Sequence, residues 1–267
     1  MNPADVLELI KSAELEAAQL IRHAGGIIAE TKTDARNVVT EYDRAVQELL
    51  VKRLSEAIPG AHFFCEETDR PDSLDAEHVF IIDPIDGTMN FVKGFNHSCI
   101  AIAYSNNGKI CAAAVYDPFA DEMFTGRAGD TARLNGKPIH VTGERLSESV
   151  VCVGTSPYDT SKTDRTFEIL RKLFDNSLDI RRRGSAELDA CTVAAGRAGL
   201  YFELQVSLWD YAAGTFIATQ AGAVCMTAEG ESLPYDATKP TIVVGTPEAA
   251  EDYLKIILGK TDGETEK

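Results

Sequence analysis

The chain has 267 residues, of which 44% are hydrophobic and 25% charged, a composition typical of a folded globular protein rather than a disordered one. Its 42 acidic residues outnumber its 26 lysines and arginines, so the formal net charge is −16 and the isoelectric point is about 4.7. Such a charge repels the phosphate backbone of nucleic acids, and no basic face with interleaved aromatic residues offsets it, so we expect no nucleic-acid partner.

Two helices are predicted at the beginning of the chain. Apolar residues recur at helical spacing through residues 1–30, and a second helix follows Thr40. Thr40 and Asp43 have the spacing of a capping box, so Asp43 either stabilises the helix N-terminus, or contributes to a site, or does both. Residues 1–30 lack a signal-peptide pattern, and no apolar run approaches the roughly 18 residues of a membrane helix. We therefore expect a cytoplasmic protein with no membrane partner.

Two short strands are predicted next, and acidic residues follow both. His62–Cys65 precedes Glu66 and Glu67, and the apolar run Val79–Ile82 precedes the segment Asp83-Pro84-Ile85-Asp86-Gly87-Thr88. We expect this segment to form a sharp turn after a strand that ends at its first residue. The turn then carries two carboxylates, a backbone carbonyl and a hydroxyl, which are the oxygen ligands that Mg²⁺ prefers.

Each acidic segment also has an ordinary structural interpretation. Asp-Pro and Asp-Gly are common in turns, the pair Glu66-Glu67 is of a kind that is usually solvated, and Asp210 in the segment Trp209–Gly214 has the position of a helix N-cap. Three acidic strand or helix ends in one chain nevertheless favour a shared metal site over three unrelated structural roles.

The remaining pattern predicts a meander of strands followed by alternating strands and helices. Ser98–Tyr104 and Ile110–Tyr116 are joined by Asn106-Asn107-Gly108-Lys109, a strong hairpin signal, and Glu122–Thr125 continues the meander. Further strands are predicted at 150–154, 179–183, 200–203, 224–227 and 241–244, and helices at 163–174, 185–195, from 210 onward and at 247–258.

Cysteines and clustered arginines give weaker signals. The six cysteines are scattered through apolar stretches without a C-x-x-C pair, so we expect buried free thiols. Arg181-Arg182-Arg183 is the one basic run of the sequence. It is interpreted as a solvated strand face, and the alternatives are that it lines the site or an oligomer interface.

Four motifs resemble those of the inositol monophosphatase family, in that family's order and at its usual separations. They are Lys32–Asp43, Glu66–Glu67, Asp83–Phe91 and Trp209–Gly214. The resemblance spans nearly the whole chain and leaves out only its C-terminal tail. The first motif departs from the family pattern at Asn37, where the family usually carries Asp, although the chemically important positions Thr40 and Asp43 are retained.

The resemblance implies an α+β fold, a layered αβαβα sandwich of the inositol monophosphatase and fructose-1,6-bisphosphatase type. Residues 1–267 then form a single catalytic unit. Its approximate subdomains are 1–147, with the N-terminal helices and the antiparallel sheet, and 148–259, of α/β type, while 260–267 form a frayed tail. The metal site is expected between the two halves, and a homodimer is expected because homodimers are frequent in the family.

The family's metal ligands fall on Glu66, Asp83, the carbonyl of Ile85, Asp86 and Asp210. By resemblance, the first three hold one Mg²⁺, the three aspartates hold a second, and a third ion touches Glu66. Two carboxylates about 4 Å apart repel by roughly 4 kcal/mol at an effective dielectric constant of about 20, so the cluster needs metal to stay together. We therefore expect two or three Mg²⁺ ions per site.

The same resemblance assigns the activation of the attacking water to Thr88, paired with Asp43, and to Glu66, without a covalent phosphoenzyme. A bound phosphate is expected at the backbone N–H groups of Gly87 and Thr88. The implied substrate contacts are Asp86, Gly87, Thr88, Gly184, Ser185, Ala186, Glu203 and Asp210.

The expected reaction is the Mg²⁺-dependent hydrolysis of inositol monophosphate to inositol and phosphate, and the resemblance implies inhibition by Li⁺. Met89-Asn90-Phe91 resembles inositol phosphatases more than adenosine bisphosphate phosphatases. Two alternatives stay open. One is a phosphatase of the same mechanism that acts on fructose 1,6-bisphosphate, histidinol phosphate or another sugar phosphate; the other is a regulatory binding protein that retains the phosphatase fold.

Overall fold

Helices and sheets alternate through the molecule in five layers. The computed structural model describes residues 2–25, 27–32, 38–68 and 73–259, so Asn37 and the predicted tail 260–267 lie outside the described residues. The first layer consists of α1 (Pro3–Arg22) and α2 (Glu41–Ala57), which share an apolar core with one face of a large sheet. The predicted αβαβα sandwich is confirmed.

The large sheet has seven strands in the order β3-β4-β5-β6-β7-β8-β9, and only its β3–β4 pair is parallel. A hairpin precedes it, and the short helix α3 (Thr88–Lys93) follows β4. The strands are β1 (Ala29–Thr31), β2 (Val38–Thr40), β3 (His62–Cys65), β4 (His78–Asp86), β5 (Cys99–Asn106), β6 (Lys109–Asp117), β7 (Glu122–Arg127), β8 (Arg133–Leu134) and β9 (Lys137–Pro138).

The second sheet has five strands in the order β11-β10-β12-β14-β13, with β10 parallel to both of its neighbours. Two helices lie between the sheets and two cover the outer face. The elements are β10 (Val150–Val153), α4 (Thr163–Asp175), β11 (Asp179–Arg181), α5 (Ala186–Ala194), β12 (Leu200–Glu203), α6 (Ala212–Gln220), β13 (Val224–Met226), β14 (Ile242–Gly245) and α7 (Pro247–Leu258).

The central helix α6 is buried between the two sheets, and its sequence suits that position. Residues 212–218 are all buried, which is expected of a helix that is apolar on every side. Small residues on the facing strands allow a close approach: at Gly126, a Cβ atom would lie 3.2 Å from the Cα atom of Ile217. This packing fixes the N-terminal ends of α5 and α6 next to β4 and β5.

Three predicted boundaries were wrong. The first helix ends at Arg22, and residues 29–31 are a strand. Strand β4 does not end at Asp83 but continues to Asp86 through an irregularity in register. Asp210 is not the N-cap of α6, because a 3₁₀ turn, Leu208–Asp210, precedes that helix.

The cysteine prediction was confirmed. All six cysteines are free; four are buried and two are partly buried. Across the described ranges, no helix is both long enough and apolar enough to cross a membrane.

Candidate active site

Three aspartates from two distant segments meet beside the C-terminal end of β4. Residues three apart on a regular strand point to opposite faces, but the register shift between Asp83 and Asp86 brings both side chains to one place. Asp210 arrives from the 3₁₀ turn before α6. One carboxylate oxygen of each aspartate lies within 4.8 Å of the others, which makes them candidate ligands for a metal ion.

Asp86 is held by the N-terminus of α5. Its Oδ2 accepts hydrogen bonds from Ser185 Oγ at 2.6 Å and from Glu187 N at 2.8 Å, and its Oδ1 accepts one from Ala186 N at 3.3 Å. A carboxylate is favoured there because the helix presents free N–H groups. Ser185 and Ala186, predicted to contact substrate, therefore orient Asp86 in this structure.

The other two aspartates each accept one local backbone hydrogen bond. Asp83 Oδ1 accepts from Ile85 N at 3.0 Å, and Asp210 Oδ2 accepts from Ser207 N at 2.9 Å. Burial first, and then the charge of Glu66, raise the pKa of both carboxyls well above the usual range. Burial also raises the pKa of Asp86 to about 6, although its hydrogen bond from Ser185 opposes the shift. The cluster is thus an excess of buried negative charge that a cation would offset.

Glu66 lies in the same cavity but is paired with a lysine. Lys32 Nζ donates to Glu66 Oε1 at 2.9 Å and also contacts Glu67. Burial, followed by the charge of Glu66, raises the pKa of Glu67 to about 7. Lys32 belongs to the first motif but was not predicted as a site residue, and its positive charge compensates the glutamate pair.

Asp43 caps α2 and also lies within hydrogen-bond distance of Thr88. Its Oδ2 accepts from Thr40 N at 2.7 Å and Thr40 Oγ at 2.5 Å, which completes the capping box of α2. Thr88 Oγ lies 3.2 Å from Asp43 Oδ1 and 3.1 Å from the carbonyl oxygen of Ile85. A hydroxyl has one proton, so Thr88 donates to one of these two acceptors and keeps its lone pairs for a further donor. Burial raises the pKa of Asp43 to about 6.

Gly87 makes the turn into α3 possible. Its φ of 86° is in the left-handed region, and a Cβ atom would lie 3.1 Å from the carbonyl oxygens of both Gly184 and His97. Nδ2 of Asn90 donates to the carbonyls of Arg183 at 2.7 Å and His97 at 2.8 Å. Gly87 and Gly184 therefore lie next to each other, as expected if both contact the substrate.

Glu203 is buried at the end of β12 and already has partners within the protein. Its Oε1 accepts from Ser156 N at 2.8 Å and Ser156 Oγ at 3.1 Å, and its Oε2 accepts from Tyr201 OH at 2.8 Å. A carboxylate has about four lone-pair positions, so about one is left for a ligand. Burial raises the pKa of Glu203, and these hydrogen bonds oppose the shift.

The predicted site residues line one cavity of about 500 Å³, except Asp43, which lies behind Thr88. Sequence reasoning missed several other residues of its wall. Arg182 of the basic run Arg181–Arg183 lines the cavity, so one of these three arginines fits the alternative in which the run lines the site. The missed residues are Lys32, Tyr158, Arg182, Trp209 and Lys239. Lys32 and Trp209 stand in two of the four motifs without having been predicted as site residues, whereas Tyr158 and Lys239 belong to no motif and are brought here by the fold alone.

Comparisons with known proteins agree on one family. The model of the inositol monophosphatase family matches residues 3–259. The Nus factor SuhB of Pasteurella multocida is 33% identical over 253 residues, which cover 90% of this chain and 94% of that protein. The inositol-1-monophosphatase of Rhizobium meliloti is 34% identical over 220 residues, 82% of each chain.

Solved structures share the fold along nearly the whole chain. The extragenic suppressor protein suhB from Bartonella henselae has a TM-score of 0.88 at 28% identity and covers 95% of this chain and 98% of its own. The inositol monophosphatase of Thermotoga maritima has a TM-score of 0.87 at 28% identity and covers 96% of this chain and 97% of its own.

Proposed function

The chain belongs to the inositol monophosphatase family, and from that premise we propose that it hydrolyses inositol monophosphate to inositol and phosphate in a Mg²⁺-dependent reaction. The observation that carries the proposal is the cluster of three aspartate oxygens within 4.8 Å of one another on the wall of a large cavity. The name of the relative from Rhizobium meliloti supports inositol monophosphate as the substrate.

The donor set fits magnesium. Asp83, Asp86 and Asp210 offer only hard carboxylate oxygens, which suit Mg²⁺ and not a thiophilic metal. We assign the ions to these aspartates together with Glu66 and the carbonyl of Ile85, at two or three per site. Bound Mg²⁺ supplies charge compensation for the phosphate and lowers the pKa of water.

The residues of the chain position and deprotonate the attacking water. Thr88 donates its proton to Asp43 and accepts a hydrogen bond from the water through a free lone pair, so the two side chains act in series. With a pKa of about 6, Asp43 is mostly ionised at neutral pH and serves as the acceptor. Glu66 faces the same cavity and is the second group that we assign to the water. The N–H groups of Gly87 and Thr88 are assigned to the phosphate.

A screen of phosphate release tests the proposal. Inositol 1-phosphate, fructose 1,6-bisphosphate, histidinol phosphate and 3′-phosphoadenosine 5′-phosphate are compared with Mg²⁺ and with EDTA. We expect the highest kcat/KM for inositol 1-phosphate and no release in EDTA. A higher kcat/KM for another ester contradicts the substrate and favours the sugar-phosphate alternative, and release in EDTA contradicts the metal mechanism.

A regulatory binding role is the second candidate, and the name Nus factor SuhB of several relatives favours it. The acidic cluster is intact here, so the two roles are compatible. An Asp83→Asn variant, which should be inactive, separates the two roles when it is expressed in the native host after deletion of the gene for this protein. If the variant corrects the growth defect of the deletion strain, the binding role is supported. If a folded, normally expressed variant does not restore growth, catalysis is supported.

A further inference from the structure

A loop after β10 places a tyrosine over the cavity. The side chain of Tyr158 is 55% exposed, yet it lines the cavity together with Pro157. Its hydroxyl has no hydrogen-bond partner in the part of the chain that the structure describes. Tyr158 belongs to none of the four motifs, so the sequence pattern does not indicate it.

Glu203 determines the position of this loop. Ser156 has a φ of 38°, a conformation that costs energy in a residue with a side chain. Its N–H donates to Glu203 Oε1, and its hydroxyl lies 3.1 Å from that oxygen and 3.0 Å from the carbonyl oxygen of Gln205. At Gly154, a Cβ atom would lie 1.9 Å from Glu203 Oε2. The carboxylate thus occupies the space beside one glycine and stabilises a strained serine, two residues before Tyr158.

The Tyr158 phenol shares the cavity with four acidic side chains, those of Asp210, Glu203, Asp86 and Glu66. A phenol, with an ordinary pKa of about 10, stays protonated at neutral pH, so this hydroxyl is a hydrogen-bond donor. The phosphate is assigned to the aspartate cluster, and Glu203 and Tyr158 line the same cavity, so both are available to the alcohol part of the ester.

Resting on the phosphatase function proposed above, we propose that Tyr158 is a specificity-determining residue. Its hydroxyl donates a hydrogen bond to a hydroxyl group of the alcohol part of the substrate. Glu203 is the positioning residue for this contact and acts through Ser156. The ligand class that the loop selects is a phosphate ester of a polyhydroxylated alcohol, as opposed to an ester without hydroxyl groups.

The first test compares two esters, inositol 1-phosphate and 4-nitrophenyl phosphate, which has no alcohol hydroxyls. In Tyr158→Phe, the ratio of kcat/KM for the polyol ester to kcat/KM for the aryl ester should fall about three- to tenfold, the effect of one lost neutral hydrogen bond. Tyr253→Phe is the matched control, because its hydroxyl is also unpartnered in the described chain but is buried in the outer core. An unchanged ratio in Tyr158→Phe overturns the proposal.

The second test asks whether the loop acts through the tyrosine. Ser156→Ala removes the hydroxyl beside Glu203 and leaves the carboxylate in place, so it should lower the same ratio. Combined with Tyr158→Phe, it should not lower the ratio further, because the contact is already absent. Additive falls in the ratio would overturn the positioning role of Glu203.

A binding measurement separates this inference from the proposed reaction. Trp209 is the one tryptophan of the sequence and lines the cavity, so its fluorescence reports occupancy. With inorganic phosphate present, myo-inositol should bind Tyr158→Phe about three- to tenfold more weakly than the wild type. If Tyr158→Phe binds myo-inositol more weakly than a wild type that shows no phosphatase activity, the inference is supported and the proposed reaction is contradicted. Equal affinity, or no binding of myo-inositol to the wild type, overturns the inference even if the protein is an active phosphatase.

Discussion

At the scale of single residues, the three aspartates are costly to bury in their ionised forms. Each accepts at least one hydrogen bond within the protein, but burial and mutual repulsion disfavour ionisation. A ligand that binds only the folded protein stabilises it by about 2.7 kcal/mol at a hundredfold excess over its dissociation constant. Magnesium should therefore raise the unfolding temperature of the wild type.

The variant Asp210→Asn should nearly abolish turnover and shrink this magnesium-dependent shift. Without metal it should unfold at the same temperature as the wild type or higher, because one repulsive charge is gone. Thermal unfolding with Mg²⁺ and with EDTA measures both effects, and Asp75→Asn, at an exposed position, is the control. Normal Mg²⁺-dependent activity in Asp210→Asn would remove this residue from the set of ligands.

The pair Thr88 and Asp43 gives a second prediction. Thr88→Ala removes a hydroxyl but no carboxylate, so kcat should fall by about a hundredfold or more while the Mg²⁺ midpoint stays near that of the wild type. Asp43→Asn should behave in the same way. Steady-state kinetics at varied Mg²⁺ concentration measures both parameters.

Thr40→Ala is the control for the capping role of Asp43. It removes the hydroxyl of the capping box and should cost about 1 kcal/mol of stability, with a smaller effect on kcat. If Thr88→Ala and Asp43→Asn keep the wild-type kcat, then Asp43 serves only to cap α2.

At the scale of secondary-structure elements, the sequence pattern predicted the strands and helices well and the local geometry of the site poorly. Apolar periodicity identified β3 and β12 with their observed ends, and it identified the start of α2 after Thr40. It could not predict that β4 passes through the Asp83–Asp86 motif, because a β-bulge depends on pairing with β5 and not on local propensity.

The loop residues were also beyond prediction from one sequence. A serine at φ 38° has no local signal, since its conformation is stabilised by Glu203, which is distant in sequence. The apolar periods of strands, two residues, and of helices, 3.6 residues, depend only on neighbours in the chain, so they can be read from the sequence. Whether a residue such as Tyr158 lines the cavity depends on how distant elements pack together, and the apolar pattern carries no information about that packing.

Helix α1 carries a buried acid that provides the next prediction. Glu14 is fully buried, and neither of its carboxyl oxygens has a partner in the described chain. Burial, followed by the charge of Glu187, raises its pKa well above the ordinary 4.5. The pKa of Glu14 is higher in the folded protein than in the unfolded chain, so protonated Glu14 contributes to the free energy of unfolding. This contribution is complete below about pH 4.5 and is lost as the pH rises through the folded pKa.

Glu14→Leu should therefore stabilise the protein, by about 1 to 3 kcal/mol at neutral pH, and by more at pH 8 than at pH 5. Urea unfolding at the two pH values measures the difference. Glu14→Gln keeps the shape without ionising and should lose only the pH dependence, while Glu8→Gln, at an exposed position on the same helix, should change neither. A stability gain from Glu14→Leu that is independent of pH would contradict an ionisable Glu14.

At the scale of the whole molecule, the predicted homodimer has a candidate surface on the outer layer. Phe167 and Phe174 are 59% and 53% exposed and lie two turns apart on one face of α4, and Leu178 beyond it is 66% exposed. Exposed apolar residues that share a face mark interaction sites more often than isolated ones do. Light scattering should give the mass of a dimer for the wild type and of a monomer for Phe174→Ser. A monomeric wild type contradicts the prediction.

The three aspartates of the cluster come from distant parts of the chain: Asp83 and Asp86 lie in the predicted subdomain 1–147, and Asp210 lies in the predicted subdomain 148–259. Its occupant should therefore influence both the reaction and the stability of the whole chain. Li⁺ has a radius similar to that of Mg²⁺ but half its charge. It suits the same oxygen ligands while offsetting less of the repulsion among three buried carboxylates.

We therefore expect Li⁺ at millimolar concentration to inhibit phosphate release from inositol 1-phosphate, in an uncompetitive or mixed manner that depends on the Mg²⁺ concentration. It should also raise the unfolding temperature less than Mg²⁺ does at equal site occupancy. Steady-state assays over a grid of both ions, with Na⁺ as the control for ionic strength, decide the matter. If Li⁺ has no effect on phosphate release, the sugar-phosphate alternative is favoured. If Asp83→Asn nevertheless loses activity, the metal mechanism is retained, because the aspartate is still required for charge compensation.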